Sequence, residues 1–368
     1  MKILFCQTQF KMGGQQKVLL TVANELNKSH DVTIYYENYS FFDLSNFKTI
    51  RPKKHIQIIN LGKALVSNLF KFNFKKKIVA DDWHLKNIES TMKNTKFDIV
   101  ILLNPYILFV EQIKYNLINT NKVICWTHNI FENYVDSCFK FEKNQLFKSM
   151  SMADQIVSLE SYTASKWKTY NENTVIIHNP VTIQVSKNSS LDKKIICCTG
   201  RIQIDSKGLD LLCKVVQQLN NDIIVHYAGS GKPGEVRKFK QLIDEYGISE
   251  KIILQGPLQG DSLKEHYRSG SIFLMTSRYE GFPLVATEAM AFGLPFVGFN
   301  IPSLQEVTEC GKYGRLFEED EIEQMAAYIN YIINSKESLT QQSNLSVERA
   351  SHFKLDKIID EWNNKVIN

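Results

Sequence analysis

Two tandem α/β domains, each doubly wound on a parallel sheet, with helices closing the chain, are the fold this sequence predicts. Three observations predict it. The 368 residues are comfortable for two such domains and long for one. Short apolar runs alternate with stretches of helical periodicity through both halves. The alternation breaks off once, at His178-Asn179-Pro180, crosses the polar stretch Ser186–Asp192, and begins again.

The first half reads as buried strands at Lys2–Cys6, Val32–Tyr36, Asp98–Leu103, Val123–Trp126, Gln155–Leu159 and Val175–Ile177. Between the first two lies Gln15–Lys28, where Val18, Leu19, Val22, Ala23 and Leu26 recur at helical spacing. Strand, helix, strand in that order implies parallel pairing. Proline at 180 stops the last strand of this half and restricts Asn179 before it. The second half supplies strands at Ile195–Thr199, Ile223–Ala228, Ile252–Gln255, Ile272–Met275 and Phe296–Phe299. Helical stretches fall at Leu209–Leu219, Gly234–Tyr246, Leu263–Ser269 and Leu284–Phe292, and three more follow at Ile322–Asn334, Ser338–His352 and Leu355–Val366. Two such domains in tandem are expected to leave a cleft between two sets of strand carboxyl ends, the usual ligand position in doubly wound sheets.

Composition narrows the function. Apolar residues make up 43%, enough for two ordinary cores, and nothing marks disorder or a fibre. The seven cysteines include no C-x-x-C pair, and several sit in apolar runs as small hydrophobes, so neither a zinc site nor a disulfide framework is expected. No signal peptide opens the chain, and no run of about 18 apolar residues spans a membrane. Residues 1–178 carry 23 Lys and Arg against 15 Asp and Glu, and the remainder 21 against 24. The basic half suits an anionic partner, a phosphorylated acceptor or a lipid surface. Nucleic acid is not expected, because the positive residues form no recognised binding motif.

Three groups carry chemistry. Gly13-Gly14 follows the first strand and precedes a helix, where backbone can approach a phosphate; a plain strand-to-helix turn has the same glycines. The G-x-G-x-x-G spacing of dinucleotide sites is absent here, and Gly229-Ser230-Gly231 is followed by Lys232-Pro233-Gly234 rather than a compact helix start. The second group is Gly200-Arg201 with Lys207-Gly208, two cations at the end of a strand beside a helix start, a pattern suited to a diphosphate and shared by ordinary exposed loops. The third runs from Ser277 to Ala291. Glu280 and Glu288 flank Gly281-Phe282-Pro283-Leu284-Val285 with seven residues between them. Pro283 suits the first turn of the next helix, and Leu284 and Glu288 then share a face.

On these residues the sequence resembles the retaining GT-B glycosyltransferases of family GT4. The resemblance rests on Gly200-Arg201 with Lys207-Gly208, on Ala228-Gly229-Ser230-Gly231, and on the E-x7-E run from Glu280 to Glu288. Gly293-Leu294-Pro295, Glu306, Gly311 and Gly314 fit the same pattern. In the first half Gly13-Gly14, His128 and Asn179-Pro180 fall where the family places them, while Asn38 to Thr95 carries no family motif. The resemblance implies a GT-B fold: an acceptor-side domain over residues 1–180, a nucleotide-sugar-binding domain over 181–350, and a helix over 351–368 packing back toward the first domain. It also implies roles. Arg201 and Lys207 would neutralise the departing nucleoside diphosphate, Glu288 would bind the ribose hydroxyls, and Glu280 would hold hydroxyls of the donor sugar. Gly281, Phe282 and Pro283 would line the sugar pocket, and Leu284-Val285 would begin a helix aimed at phosphate. Gly13 and Gly14 would approach the phosphates from the first domain, and His128, in Trp126-Thr127-His128-Asn129, would lie near the transferred sugar, although a lone histidine after a strand is more often structural.

The expected activity is transfer of a sugar, with retention, from a nucleotide donor, UDP-hexose or UDP-N-acetylhexosamine, to a hydroxyl of a glycan, lipid-linked or polysaccharide acceptor. No D-x-D motif stands in a loop, so no metal and no cofactor are expected. A GT-B phosphorylase and a non-catalytic partner subunit are the alternatives. Lys63–Lys77 places Leu65, Leu69 and Phe72 on one stripe and Lys71, Lys75, Lys76 and Lys77 at its end. It can contact an anionic membrane, pack on the first domain or touch the acceptor. The expected location is the cytoplasm, including its membrane face.

Overall fold

The structure, a computed structural model, describes residues 1–54, 57, 58 and 81–368, without the side chains of 81 and 82. The Lys63–Lys77 segment lies outside the described residues. The chain divides into two compact units, Met1–His178 with Ile358–Asn368, and Asn179–Lys357.

The first unit is built on seven parallel strands: β1 (Lys2–Cys6), β2 (Asp31–Tyr35), β3 (Lys48–Ile50), β4 (Thr95–Leu102), β5 (Ile118–Trp126), β6 (Gln155–Ser158) and β7 (Thr174–Ile176). Their order is β3-β2-β1-β4-β5-β6-β7. The register Leu4↔Thr33 on one side of β1 and Leu4↔Val100 on the other makes β1 and β4 the point where the winding reverses. Ile3 to Cys6 and Val100 to Leu102 are buried, as strands covered by helices on both faces must be. The helix Gly14–Leu26 follows β1 and buries Val18, Leu19, Val22, Ala23 and Leu26, the predicted stripe. Strand β3 was not expected from the sequence. Lys48 and Thr49 are exposed on this sheet edge, so no apolar run announces it.

In the second unit six parallel strands lie in the order β10-β9-β8-β11-β12-β13. They are β8 (Ile195–Thr199), β9 (Ile224–Ala228), β10 (Ile252–Gly256), β11 (Ile272–Met275), β12 (Phe296–Phe299) and β13 (Arg315–Phe317). The winding reverses between β8 and β11, which pair through Ile272↔Ile196 and Phe273↔Cys197. Leu212, Val215 and Val216 of the helix Leu209–Gln217 join Ile196, Val225 and Leu274 in one buried cluster. The edge strand β13 escaped the sequence reading for the same reason as β3, since Arg315 is exposed and only Phe317 is buried.

Residues 358–368 belong with the first unit. Trp362 is buried and meets Trp126 of β5 edge-on, with ring centroids 4.7 Å apart at 72°. Lys122 Nζ donates to the Val366 carbonyl at 2.6 Å, and Gln155 Nε2 to the Lys365 carbonyl at 2.9 Å. Among the described residues no helix is long and apolar enough to cross a membrane.

Candidate functional site

In the second unit the predicted residues gather at the carboxyl ends of β8 and β11, on either side of the reversal of winding. After β8 ends at Thr199, Gly200-Arg201 lead into a single helical turn, Ile204–Lys207, and Gly208 joins it to the helix Leu209–Gln217. Gly208 has φ +57°, and a Cβ there would lie 2.0 Å from the Thr276 carbonyl oxygen. Only glycine meets both demands. The close approach sets the turn carrying Lys207 against the loop that follows β11. Gly208 therefore closes the single turn and caps the start of the helix Leu209–Gln217, as its place beside a helix start led one to expect.

That contact puts a cation and a carboxylate together. Lys207 Nζ is paired with Glu280 Oε1, and each side chain retains 15% of its exposure. Ser277 Oγ donates to the same carboxylate oxygen at 2.9 Å, and Thr276 Oγ1 donates to the Lys207 carbonyl at 3.1 Å. The stem of Lys207 runs past Gly200, where a Cβ would stand 3.8 Å from Lys207 Cε. Arg201 next to it is exposed and makes no ion pair among the described residues. Lys207 and Glu280 thus meet at the switch point, and Arg201 is exposed two residues past the end of β8. The Gly229-Ser230-Gly231 run has a packing role. A Cβ on Gly229 would fall 1.8 Å from the Gly200 carbonyl oxygen, and one on Gly231 would fall 2.2 Å from that of Ile202.

Glu288 stands apart from this pair. It lies on the helix Leu284–Ala291 and is 3% exposed. Thr182 Oγ1 donates to its Oε1 at 2.7 Å and Tyr267 Oη to its Oε2 at 3.4 Å. Burial first, and then the charge of Glu288, push the Tyr267 phenol well above its ordinary pKa, so Tyr267 remains a donor. Pro283 is the residue before the first turn of this helix, rather than within it. Gly281 is half-buried, Phe282 and Pro283 are buried, and Leu284 and Val285 are half-buried on the first turn. Asn179 Nδ2 donates to the Phe282 carbonyl at 3.3 Å, and Phe353 meets the Phe282 ring edge-on. The sequence did not point to Thr182 or Tyr267. They lie outside the motif, and their hydroxyls reach it only through the fold. Ser277 opens the motif, but no role was assigned to it.

The first unit holds Gly13, Gly14 and His128. Gly13 precedes the helix Gly14–Leu26 with φ 177°, extended backbone that any residue adopts. Both glycines are exposed, no side chain caps the helix, and its first turn has no acidic residue, so its unpaired amides suit an anion. His128 lies two residues past β5. Its backbone N–H donates to Tyr134 Oη at 2.8 Å, and its ring sits 4.4 Å from that of Trp126. The ring Nε2 is shut off from solvent with no hydrogen-bond partner among the described residues. Burial pushes its pKa down to about 3, so the imidazole is neutral at ordinary pH. Among the described residues no group of three or more His, Cys, Asp or Glu side chains is placed to hold a metal.

Residues 182–346 match the family described as glycosyl transferases group 1. An uncharacterized glycosyltransferase of Haemophilus influenzae is 29% identical over 364 residues, covering 95% of this chain and 95% of its own. Among solved structures, TarM superimposes with a TM-score of 0.76 at 15% identity, over 99% of this chain and 98% of its own. Alr3699/HepE of Anabaena, in complex with UDP and glucose, gives 0.71 at 16% identity over 100% and 99%. At such identities the structural likeness establishes the fold, which is GT-B.

Proposed function

We propose that the chain is a GT4-like glycosyltransferase, and that on its GT-B fold it moves a hexose or N-acetylhexosamine from a UDP-linked donor to a hydroxyl of a glycan, lipid-linked or polysaccharide acceptor, with retention and without a metal. The observation that carries this reading is the Lys207–Glu280 pair beside Arg201 at the β8/β11 switch point. Glycosyl transfer needs cations for a departing diphosphate and an acceptor group for sugar hydroxyls, within one sugar's length of each other. As the bond from the anomeric carbon to the diphosphate breaks, Lys207 and Arg201 balance the charge growing on the phosphates. The first turn at Leu284-Val285 adds the positive end of a helix dipole. Glu280 accepts hydrogen bonds from donor-sugar hydroxyls, and Gly281, Phe282 and Pro283 line the sugar. Glu288 takes the ribose, with Tyr267 and Thr182 holding its carboxylate until then. The acceptor hydroxyl attacks the face the diphosphate leaves, and its proton passes to the departing phosphate oxygen. The UDP and glucose in the Anabaena structure support a UDP-hexose donor here.

A hydrolysis screen across nucleotide sugars tests this reading, because a glycosyltransferase without acceptor passes some donor to water. One or more donors should be consumed without added metal and in the presence of a chelator. Arg201→Ala and Lys207→Ala should each lower kcat/KM by about 10²-fold, the scale of one lost electrostatic contact in a transition state. A variant keeping more than half of the activity removes that residue from the site. Sugar phosphate formed from inorganic phosphate would identify a phosphorylase instead.

A further inference from the structure

Arg278 is absent from the roles assigned above, yet it is the best-bonded side chain around them. Its Nη1 and Nη2 grip the Asp210 carboxylate at both oxygens, at 2.9 and 2.7 Å. Nη1 also donates to the Asp205 carbonyl at 3.0 Å, Nε donates to Glu319 Oε1 at 3.0 Å, and the backbone N–H of Arg278 donates to the Ser206 carbonyl at 3.1 Å. Asp205, Ser206 and Asp210 bracket Lys207, and Arg278 itself stands two residues before Glu280. One guanidinium thus clamps the turn bearing the cation to the loop bearing the carboxylate. Gly208 against Thr276, the Thr276 hydroxyl on the Lys207 carbonyl and the Lys207–Glu280 pair join the same two segments.

We propose that Arg278 is a positioning residue for glycosyl transfer. Through its fork on Asp210 and its bonds to the backbone of residues 205 and 206, it sets the distance between Lys207 and Glu280, and so the match between diphosphate and sugar. The proposal rests on the donor-binding reading of that pair. It requires arginine, since a lysine ammonium keeps the charge but cannot hold both carboxylate oxygens and the Asp205 carbonyl from a planar fork. The clamp is half-exposed, with side-chain exposures of 27% for Arg278 and 30% for Asp210, so its value lies in geometry more than in stability.

The test is a double-mutant cycle on donor turnover in the full-length protein, with Arg278→Lys, Asp210→Asn, Lys207→Ala and the paired variants, each also melted. Arg278→Lys and Asp210→Asn should each lower kcat by about 10-fold, with donor KM within about two-fold and the melting temperature close to that of the wild type. In the Lys207→Ala background the same changes should cost less than about two-fold, because the group they position is gone. Losses that multiply in that background overturn the proposal, as does an Arg278→Lys variant with full kcat. If Arg278→Lys fails to fold, the Asp210→Asn cycle decides, since it leaves the other bonds of Arg278 in place. A wild type that consumes no nucleotide sugar overturns the donor reading and the proposal together. An active wild type with multiplying losses overturns the proposal alone.

Discussion

Glu280 and Glu288 look equivalent in the sequence, two carboxylates framing one motif, but their surroundings divide the work. Glu280 is half-buried beside a lysine and a serine, where a sugar hydroxyl can reach it, while Glu288 is buried against a threonine and a tyrosine. Glu288→Ala should therefore weaken binding of free nucleoside diphosphate by about 10-fold or more, the worth of hydrogen bonds to a charged group. Glu280→Ala should leave that binding nearly unchanged and lower turnover of the intact donor. Calorimetry on both variants separates the two, and equal losses would refute the division. Histidine adds a pH dependence. Burial depresses His128 to about 3, and burial with the charge of His226 depresses His266 to about 4, both from an ordinary 6.5. Between those values and 6.5 the unfolded chain binds protons that the folded chain does not. Stability is thus intact above pH 6.5 and declines as pH falls toward 3. Denaturant midpoints should drop across that window, and the double variant His128→Gln with His266→Gln should show a shallower drop. An unchanged slope would mean that neither buried imidazole is linked to folding.

At the scale of elements, apolar runs located the central strands because those are covered on both faces. Lys2–Cys6, Ile195–Thr199, Ile272–Met275 and Phe296–Phe299 were placed to the residue. Edge strands β3 and β13, half in water, left no such trace. Gly208 illustrates what a motif hides. Its letter announces a turn, but the Thr276 carbonyl that would strike a side chain there lies 68 residues away in sequence. Gly208→Ala should cost about 2–4 kcal/mol, combining the left-handed penalty with a forced backbone shift, and should lower activity by moving Lys207. Gly234, on the helix Pro233–Glu245, has ordinary φ and nothing within 4 Å of a Cβ, so Gly234→Ala should leave stability and turnover unchanged. Chemical denaturation of the two variants side by side checks the contrast. Similar losses would show that crowding at Gly208 is not what demands glycine.

At the scale of the whole molecule, the chain returns at its end to the sheet where it began. Trp362 fills a site against Trp126, and Lys122 and Gln155 bind the carbonyls of Val366 and Lys365. Trp362→Ala should destabilise the first unit by about 3–5 kcal/mol, the cost of emptying a buried aromatic site. Unfolding followed by the fluorescence of the remaining tryptophans measures it, and a loss under about 1 kcal/mol would mean that the last helix is dispensable to that core. By itself, the sequence determined the fold class, the core strands and the residue types of the motif. These follow from local signals: the two-faced burial of parallel strands, the period of a helix, and the glycines and charges at strand ends. Only the tertiary structure decided that Lys207 pairs with Glu280 while Glu288 turns to Tyr267 and Thr182, that Arg278 clamps the two loops, and that Trp362 closes the first core. Each joins residues tens to hundreds of positions apart, and such a contact is chosen by which surfaces pack most densely and leave no polar group unpaired, a property of the assembled chain that no window of sequence contains.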